Sequence, residues 1–464
     1  MLETDYLVIG AGASAMAFAD ELVAHTDVDI VIVDRRHAPG GHWLDAYPFV
    51  RLHQPSAYYG VNSLPLGRDR IQTTGPEAGF YERATGVEVV DYYQRLLDEV
   101  FLPSGRVRFL PMTNYQGTES GRHIVTSTLT GAPTEINVRR RVVDASYVAS
   151  EIPSRHRPTF TFDDDVPLVS PNDVVRLAGP ASGFTVLGAG KTAMDVCTWL
   201  LEAGTNADSI GWVRPRDGWF VNRRVTQPFE QSAGMLEYQA SLIDAIATEP
   251  DAPAVARQLE THGIFRRLDT TLEPDVFRGA TLADGELERL REIEGVVRLG
   301  RVRHIATNEI HFDRGTIAND ARRVIIDCTA QGLATSPAQP IFQTGRIVVQ
   351  FTTLGVAPWS AAILGYVETL DIGDDDRNRL CPPVPRTGLI ADYYHVLRAG
   401  FAAEAVRRSE PTIQAFAATA RLNPARGIPS VLHEPHAVEH FNLMARSLEA
   451  ASAVLERSTQ DPES

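Results

Sequence analysis

Two glycine-rich segments have the residue types and the spacing of a dinucleotide-binding turn, and each follows an apolar, strand-like run and opens a helix. They are Gly10-Ala-Gly12-Ala-Ser-Ala15 and Gly188-Ala-Gly190-Lys191-Thr192-Ala193. In such a turn the first glycine permits the tight bend, the second lets the backbone approach a pyrophosphate, and the small last residue lets the helix pack against the strand. Free N–H groups at the helix start then bind the pyrophosphate. Two such turns predict that the chain holds two dinucleotides, a flavin and a nicotinamide, and is an oxidoreductase.

The strand after each turn should end on the residue that recognises a ribose. After the first turn a β-branched run ends at Asp34, whose carboxylate can bind ribose hydroxyls, so we assign FAD to this turn, with Arg35 beside it. After the second turn the run ends at Arg214. A guanidinium binds a 2′-phosphate bidentately where a carboxylate would repel it, which favours NADPH over NADH; an exposed strand-end arginine is the alternative. Arg223 is a second candidate, for that phosphate or for an acidic substrate.

Residues 39–55 are rich in glycine, proline and aromatic side chains, which is typical of a loop laid over a flat ring system. The candidate cofactor contacts in this segment are Gly41, His42, Trp43, Arg51 and Gln54. His53 is the candidate catalytic residue because an imidazole can titrate near neutral pH. An ordinary hydrogen-bonding histidine is an equal alternative. Lys191 and Thr192 are further candidates at the second turn.

The composition excludes several classes of protein. The 464 residues include 44 Lys and Arg against 59 Asp and Glu, a formal net charge of −15, which argues against nucleic acid or an anionic membrane as a partner. Apolar runs are too short to span a bilayer, and Glu3 and Asp5 argue against a signal peptide, so we expect a cytoplasmic protein. The three cysteines form no C-x-x-C pair. We therefore expect neither a redox dithiol nor a metal site.

The periodicities predict an α/β fold with two Rossmann-like dinucleotide-binding domains, the second inserted in the first, and a helical C-terminal extension. Residues 1–160 and 331–390 are expected to form the FAD-binding domain. Residues 165–330 are expected to form the NADPH-binding domain, with a helical insertion at about 228–292. Residues 391–464 form the extension.

Two further segments are expected to contact the cofactors. A strand ends near Ala330, and a helix has Pro358, Trp359 and Ser360 in its first turn. The positive end of that helix dipole would stabilise a reduced, anionic flavin. A helix that only closes the domain is the alternative.

The order of these segments over residues 5–370 resembles the flavin-containing monooxygenases of the two-Rossmann class, which include N-hydroxylating and Baeyer–Villiger enzymes. The matching segments are Gly10-x-Gly12-x-x-Ala15, Asp34, Gly40-Gly41-x-Trp43, Tyr47-Pro48, Gly188-x-Gly190-x-x-Ala193 with Asp195, Arg214 with Trp219 and Arg223, and Asp327-Cys-Thr-Ala330. The resemblance implies that NADPH reduces FAD, and that O2 and reduced FAD form a C4a-(hydro)peroxide. This adduct would oxygenate a small organic substrate by N-hydroxylation, S-oxidation or Baeyer–Villiger insertion.

Two departures from the family pattern leave the oxygen chemistry open. The family signature Phe-x-Gly-x-x-x-His between the domains keeps Phe162 but loses its Gly and His, and His53 stands where several relatives place Asn. Two alternatives therefore remain. One is an NADPH-dependent flavin oxidase or reductase without oxygen insertion, and the other is a non-catalytic flavin- or nucleotide-binding protein. A homo-oligomer is compatible with the sequence, which identifies neither the substrate nor the oligomeric state.

Overall fold

The computed structural model describes residues 2–119, 122–333 and 336–457. The strands are β1 (Leu2–Ile9), β2 (Ile30–Val33), β3 (Val107–Leu110), β4 (Thr113–Glu119), β5 (Arg122–Ser127), β6 (Pro133–Asp144), β7 (Ser150–Glu151), β8 (Thr161–Phe162), β9 (Leu168–Val169), β10 (Gly183–Leu187), β11 (Ile210–Val213), β12 (Gly218–Asn222), β13 (Phe265–Arg266), β14 (Val276–Leu282), β15 (Val296–Val297), β16 (Val302–Ile305), β17 (Glu309–Phe312), β18 (Gly315–Ala318), β19 (Arg323–Asp327), β20 (Gly332–Leu333), β21 (Phe342–Gln343) and β22 (Arg346–Val348). The α-helices are α1 (Ala13–His25), α2 (Gly86–Leu96), α3 (Lys191–Glu202), α4 (Ala233–Thr248), α5 (Ala252–Thr261), α6 (Asp284–Arg291), α7 (Ala357–Thr369), α8 (Asp374–Leu380), α9 (Tyr393–Arg408), α10 (Pro411–Thr419), α11 (Ile428–Val431) and α12 (Pro435–Arg457).

The first sheet is built from distant parts of the chain. Its strand order is β21-β22-β6-β1-β2-β3, and the β4–β5 hairpin attaches to β6. Strand β2 is buried along its whole length, as its β-branched sequence predicts for a parallel strand covered on both faces. Helix α1 packs on α7 so closely that a Cβ on Gly365 would lie 2.6 Å from the carbonyl oxygen of Phe18. The chain therefore returns to the first sheet after it has built the second.

The second sheet is parallel throughout, with the order β15-β11-β10-β19-β9. The second glycine turn follows β10, just as the first follows β1, so each turn lies at the carboxyl end of an inner strand. Ligands of open α/β sheets bind at this edge. The predicted α/β class with Rossmann-like units is confirmed.

The segment expected to be a helical insertion contains strands as well. Helices α4, α5 and α6 surround a small sheet of order β13-β12-β14. The C-terminal helices α9 and α12 pack against this unit, and their Leu397 and Leu455 share one apolar cluster with Leu242 and Ile246 of α4. Residues after 391 thus complete a core that the insertion begins. Among the described residues, no helix combines the length and the apolar character needed to cross a bilayer.

Candidate functional site

The two glycine turns line one cavity of about 1640 Å³. Its wall also includes much of residues 41–54, the segment directly after β19 and the start of α7. The sequence-predicted residues that line it are Gly10, Gly12, Asp34, Arg35, Gly41, His42, Trp43, Arg51, His53, Gln54, Gly188, Gly190, Lys191, Thr192, Ala330 and Pro358. Segments far apart in the chain therefore converge on a volume large enough for extended ligands.

The first turn is closed by a second backbone segment. Gly10 has φ +98°, and Gly41 has φ +60°, a conformation that glycine adopts at little cost. A Cβ on Gly41 would lie 2.7 Å from the Cα of Gly12, so no side chain fits between the two segments. Ala15, in the first turn of α1, is buried and does not line the cavity, which agrees with the packing role of that position.

Asp34 accepts two backbone hydrogen bonds, one from the first turn and one from the segment after β2. The Ala11 N–H donates to Oδ2 at 2.7 Å, and the Arg36 N–H donates to Oδ1 at 2.8 Å. The carboxylate is thus fixed at the end of β2, with one edge on the cavity. Arg35 is exposed beside it.

The second turn is open on its cavity side. Gly188 has φ +121°, and a Cβ there would lie 2.7 Å from the carbonyl oxygen of Cys328. A Cβ on Gly190, by contrast, would meet no atom within 4 Å. The space above Gly190 is therefore free for a ligand to approach the backbone.

Lys191 is neutralised within the protein. Its Nζ lies 2.5 Å from Oδ1 of Asp195 and 2.6 Å from Oε1 of Glu286. The Tyr47 hydroxyl donates to the other oxygen of Asp195 at 2.6 Å, which ties the aromatic segment to α3. Lys191 lines the cavity, but its charge is already compensated.

The structure does not bring Arg214 to the cavity, contrary to the prediction. Its guanidinium lies over the Trp212 ring, 4.8 Å from the ring centroid, and pairs with Asp217 at 3.4 Å. The side chain is buried, and burial lowers its pKa. Pro215 ends the strand, and the arginine that reaches the cavity is Arg216, two positions further on.

Arg223 is also placed differently from the prediction. The side chain is fully buried and pairs with Glu77 and with Glu286, the latter at 3.1 Å. Its Nε donates to the carbonyl oxygen of His53 at 3.1 Å. Arg223 therefore positions the backbone at His53 instead of binding a phosphate.

Helix α7 begins at the cavity, but only part of its first turn faces it. Pro358 lines the cavity. Trp359 instead stacks on Phe416, with the ring centroids 5.6 Å apart. Ser360 accepts hydrogen bonds from the N–H groups of Thr352 and Thr353, at 3.3 and 3.2 Å. The predicted cofactor contacts of Trp359 and Ser360 are replaced by packing and by fixation of the preceding loop.

Known proteins resemble this chain in sequence. A family model described as an NAD(P)-binding Rossmann-like domain matches residues 8–64. The uncharacterized protein Rv2000 of Mycobacterium tuberculosis is 36% identical over 476 residues, covering 98% of this chain and 86% of that protein. This chain belongs to the Rv2000 family. The uncharacterized protein Mb2023 of Mycobacterium bovis matches to the same extent.

Solved structures establish the fold of this member of the Rv2000 family. Cyclohexanone monooxygenase bound to ε-caprolactone matches with a TM-score of 0.53 and 14% identity, covering 90% of this chain and 98% of that one. Steroid monooxygenase bound to NADP matches with a TM-score of 0.51 and 12% identity, covering 88% and 97%. The fold is that of the class B flavin monooxygenases, as the sequence resemblance predicts.

The aromatic segment of this Rv2000-family protein is held by its own contacts. His42 stacks on Trp43, with centroids 5.2 Å apart, and Trp43 Nε1 donates to the Tyr59 hydroxyl at 2.6 Å. Burial lowers the pKa of His42 to about 4. Arg51 donates to the Arg83 carbonyl at 3.3 Å and is exposed. Contacts within the protein thus hold these cavity-lining residues in place.

His53 lines the cavity that the two turns share. Its side chain is exposed to the cavity. The cavity walls limit its contact with bulk water, and this desolvation together with the charges of Lys191 and Arg223 lowers the pKa of His53 to about 4. The imidazole is therefore neutral at physiological pH and can donate one hydrogen bond and accept another. This disagrees with the expectation that His53 titrates near neutral pH.

Sequence reasoning missed six arginines on the cavity wall, which are Arg36, Arg216, Arg278, Arg301, Arg346 and Arg386. Arg278 lies on β14 and Arg386 in the loop after α8, so no local motif connects them. The Pro215 break after β11 is the one signal that could have shifted attention from Arg214 to Arg216.

Proposed function

We propose that this protein is an FAD-dependent, NADPH-using monooxygenase that oxygenates a small organic substrate with O2. One observation carries the proposal: both dinucleotide turns open into the same cavity, so two bound cofactors would meet there. FAD supplies the redox chemistry when bound, since it accepts a hydride and, once reduced, reacts with O2. The protein residues bind, orient and exclude water.

The first turn fits FAD. Gly10, Gly12 and Gly41 line the cavity with backbone alone, and the first N–H groups of α1, which no side chain caps, are available to a pyrophosphate there. Asp34 stands at the strand end where a ribose hydroxyl is recognised. The start of α7 directs its positive dipole end at the same cavity, where negative charge on the reduced ring would be stabilised.

The second turn fits NADPH. The open space at Gly190 admits a pyrophosphate, and Thr192 offers a hydroxyl beside it. Arg216 follows β11 and is half exposed to the cavity, so it takes the role of binding the 2′-phosphate. Its contact with Asp275, at 3.9 Å, is long and solvent-exposed and neutralises it weakly.

His53 would orient the substrate or the oxygen species by hydrogen bonding, because it is neutral and lines the cavity that the two turns share. The Arg223 bond to its carbonyl fixes its backbone. Whether the reaction is N-hydroxylation, S-oxidation or Baeyer–Villiger insertion depends on the substrate. We also propose a cytoplasmic location, with which the acidic composition agrees.

Anaerobic reduction followed by oxygen readmission tests the proposal. Purified protein should retain FAD, and NADPH should bleach the flavin absorbance faster than NADH. After O2 is admitted, a panel of one ketone, one tertiary amine and one thioether should give an oxygenated product by mass spectrometry, with less H2O2 per NADPH than without substrate. No product from any compound, with H2O2 equal to NADPH consumed, would contradict it.

His53 stands where several relatives have Asn, and the signature that begins at Phe162 lacks its Gly and His. These two departures favour one alternative, an NADPH-dependent flavin oxidase or reductase. Phe162 is exposed on β8, whereas Phe160 lines the cavity. Complete conversion of NADPH to H2O2 would identify the oxidase. Retention of flavin without any reduction by NADPH would identify a non-catalytic binding protein.

A further inference from the structure

Arginines from two parts of the fold meet on one wall of the cavity. The segment at residues 388–390 pairs with β14: the Phe277 N–H donates to the Gly388 carbonyl at 3.0 Å, and Val276 bridges Leu389. The Arg278 side chain passes beside Gly388, where a Cβ would lie 3.4 Å from its Nε. Arg386 precedes that segment by two residues. Both guanidiniums line the cavity.

These two arginines have no acidic partner among residues 2–119, 122–333 and 336–457. The one hydrogen bond of Arg278 there goes to the Gln331 carbonyl at 3.2 Å. Arg386 lies over the Phe351 ring, 4.7 Å from the centroid, a cation–π contact that leaves the N–H groups at the edge of the guanidinium free. The charges of Arg278 and Arg386 are therefore not compensated by the described protein.

The acids that line the same cavity are occupied elsewhere. They are Asp34, held by backbone N–H groups, Asp144, paired with Arg346, Glu151, paired with His156 and the Gln331 N–H, and Asp217, paired with Arg214 and Arg298. A chain with net charge −15 thus concentrates unpaired positive charge at one place. Like charges in a partly enclosed site repel, and an anion relieves that repulsion.

We propose that Arg278 and Arg386 form a subsite for the carboxylate or phosphate group of an anionic substrate. A guanidinium offers a planar fork that matches either group bidentately. The subsite lies beside Phe351 and the start of α7, where Ala357 and Pro358 also line the cavity. The proposal rests on the proposed function, since it names the class of substrate.

The 2′-phosphate of NADPH is a second anionic group that guanidiniums on this wall would bind. Arg216 lies within electrostatic reach of Arg278, because its charge helps to lower the Arg278 pKa, after burial. Burial and then the charge of Arg278 likewise lower the pKa of Arg386. We assign the nucleotide phosphate to Arg216, which follows β11, and the substrate anion to Arg278 and Arg386.

Binding of small probes to the oxidised holoenzyme separates the two sources without turnover. The probes are hexanoate, its neutral isostere hexanamide, and 2′,5′-ADP, measured by calorimetry. The wild type should bind hexanoate at least about ten-fold more tightly than hexanamide. Arg278→Ala and Arg386→Ala should each remove that preference and leave the Kd of 2′,5′-ADP within about two-fold. Arg216→Ala should do the reverse.

Further variants keep the test decisive. Arg386→Lys should retain part of the preference for hexanoate, because the charge remains while the fork is lost. Arg322→Ala, at an exposed arginine that does not line the cavity, should change nothing. Loss of 2′,5′-ADP binding in Arg278→Ala and Arg386→Ala with hexanoate unchanged would overturn the proposal in favour of the nucleotide.

Equal affinity of the wild type for hexanoate and hexanamide would overturn the proposal whether or not the variants fold. Because no step needs reduction or O2, this result is independent of whether the protein proves to be a monooxygenase.

Discussion

The two glycine turns share a sequence pattern and a place at a sheet edge, but their surroundings differ. The first turn is pressed against Gly41, and its Ala11 N–H donates to Oδ2 of Asp34. The second turn leaves open space at Gly190. A closed cradle suits a cofactor that stays bound, and an open one suits a nucleotide that enters and leaves. We therefore expect FAD to be resident and NADPH to exchange.

The largest effect is expected at Gly41. In Gly41→Ala the new methyl group would meet the Cα of Gly12 at 2.7 Å, and neither backbone can yield without opening the turn. We expect the free energy of unfolding to fall by about 3 kcal/mol and most bound flavin to be lost. Denaturant unfolding and the flavin-to-protein absorbance ratio measure both.

The control for this substitution is Gly373→Ala, since a Cβ at Gly373 meets nothing within 4 Å and its φ is −75°. Flavin content should stay at the wild-type level in this control. Equal flavin content in Gly41→Ala would show that the first turn is not the closed cradle described above.

A smaller and different effect is expected at Gly190. Its backbone has φ −86°, which alanine adopts without strain, and the methyl group would extend into the cavity. Stability and flavin content should not change, whereas NADPH should bind about 2 kcal/mol more weakly, or roughly 30-fold. A nucleotide titration of the oxidised protein gives the Kd. Loss of flavin in this variant would reverse the assignment of the two turns.

A third effect separates Arg216 from Arg214. Arg216→Ala should weaken NADPH binding about ten-fold and leave NADH binding unchanged, because only NADPH carries the 2′-phosphate. Arg214→Ala should instead lower stability by about 1–2 kcal/mol, since it removes the ring contact and one partner of Asp217. Kd values for both nucleotides and urea unfolding of both variants test this. A selective loss of NADPH binding in Arg214→Ala would restore the original sequence prediction.

The sequence predicted the elements better than the directions of side chains. Glycine spacing, the β-branched run before Asp34 and the helix start at Pro358 are local signals, because backbone geometry demands those residue types. Arg214 and Arg223 lie away from their predicted positions for one reason. Their orientation depends on Trp212 and Glu77, partners that no local pattern indicates. Arg278 and Arg386 meet through strand pairing between distant segments, which only the folded chain defines.

The helices that follow the two turns differ in charge balance, which leads to the smallest expected effect. On α3, Lys191 pairs with Asp195 and with Glu286, and the charges of Lys191 and Arg223 hold the pKa of Glu286 far below its usual range despite burial. On α1, burial and the neighbouring Asp20 raise the pKa of Glu21 to about 8, and Asn62 opposes this only in part. The second region should therefore lose stability in acid, and the first in mild base.

Glu21→Gln tests the alkaline side. Since the folded pKa of Glu21 lies above the usual 4.5, its contribution to stability is complete below about pH 4.5 and is lost as the pH rises through about 8. His25, 3.3 Å away, is 43% exposed and screens the charge weakly. Between about pH 6.5 and pH 7.5 the wild type should lose about 1 kcal/mol more than Glu21→Gln, whose amide can still accept from Asn62. Urea unfolding at both pH values measures it. Identical pH profiles would mean that Glu21 is already ionised in the folded protein, and that the two helices do not differ in this respect.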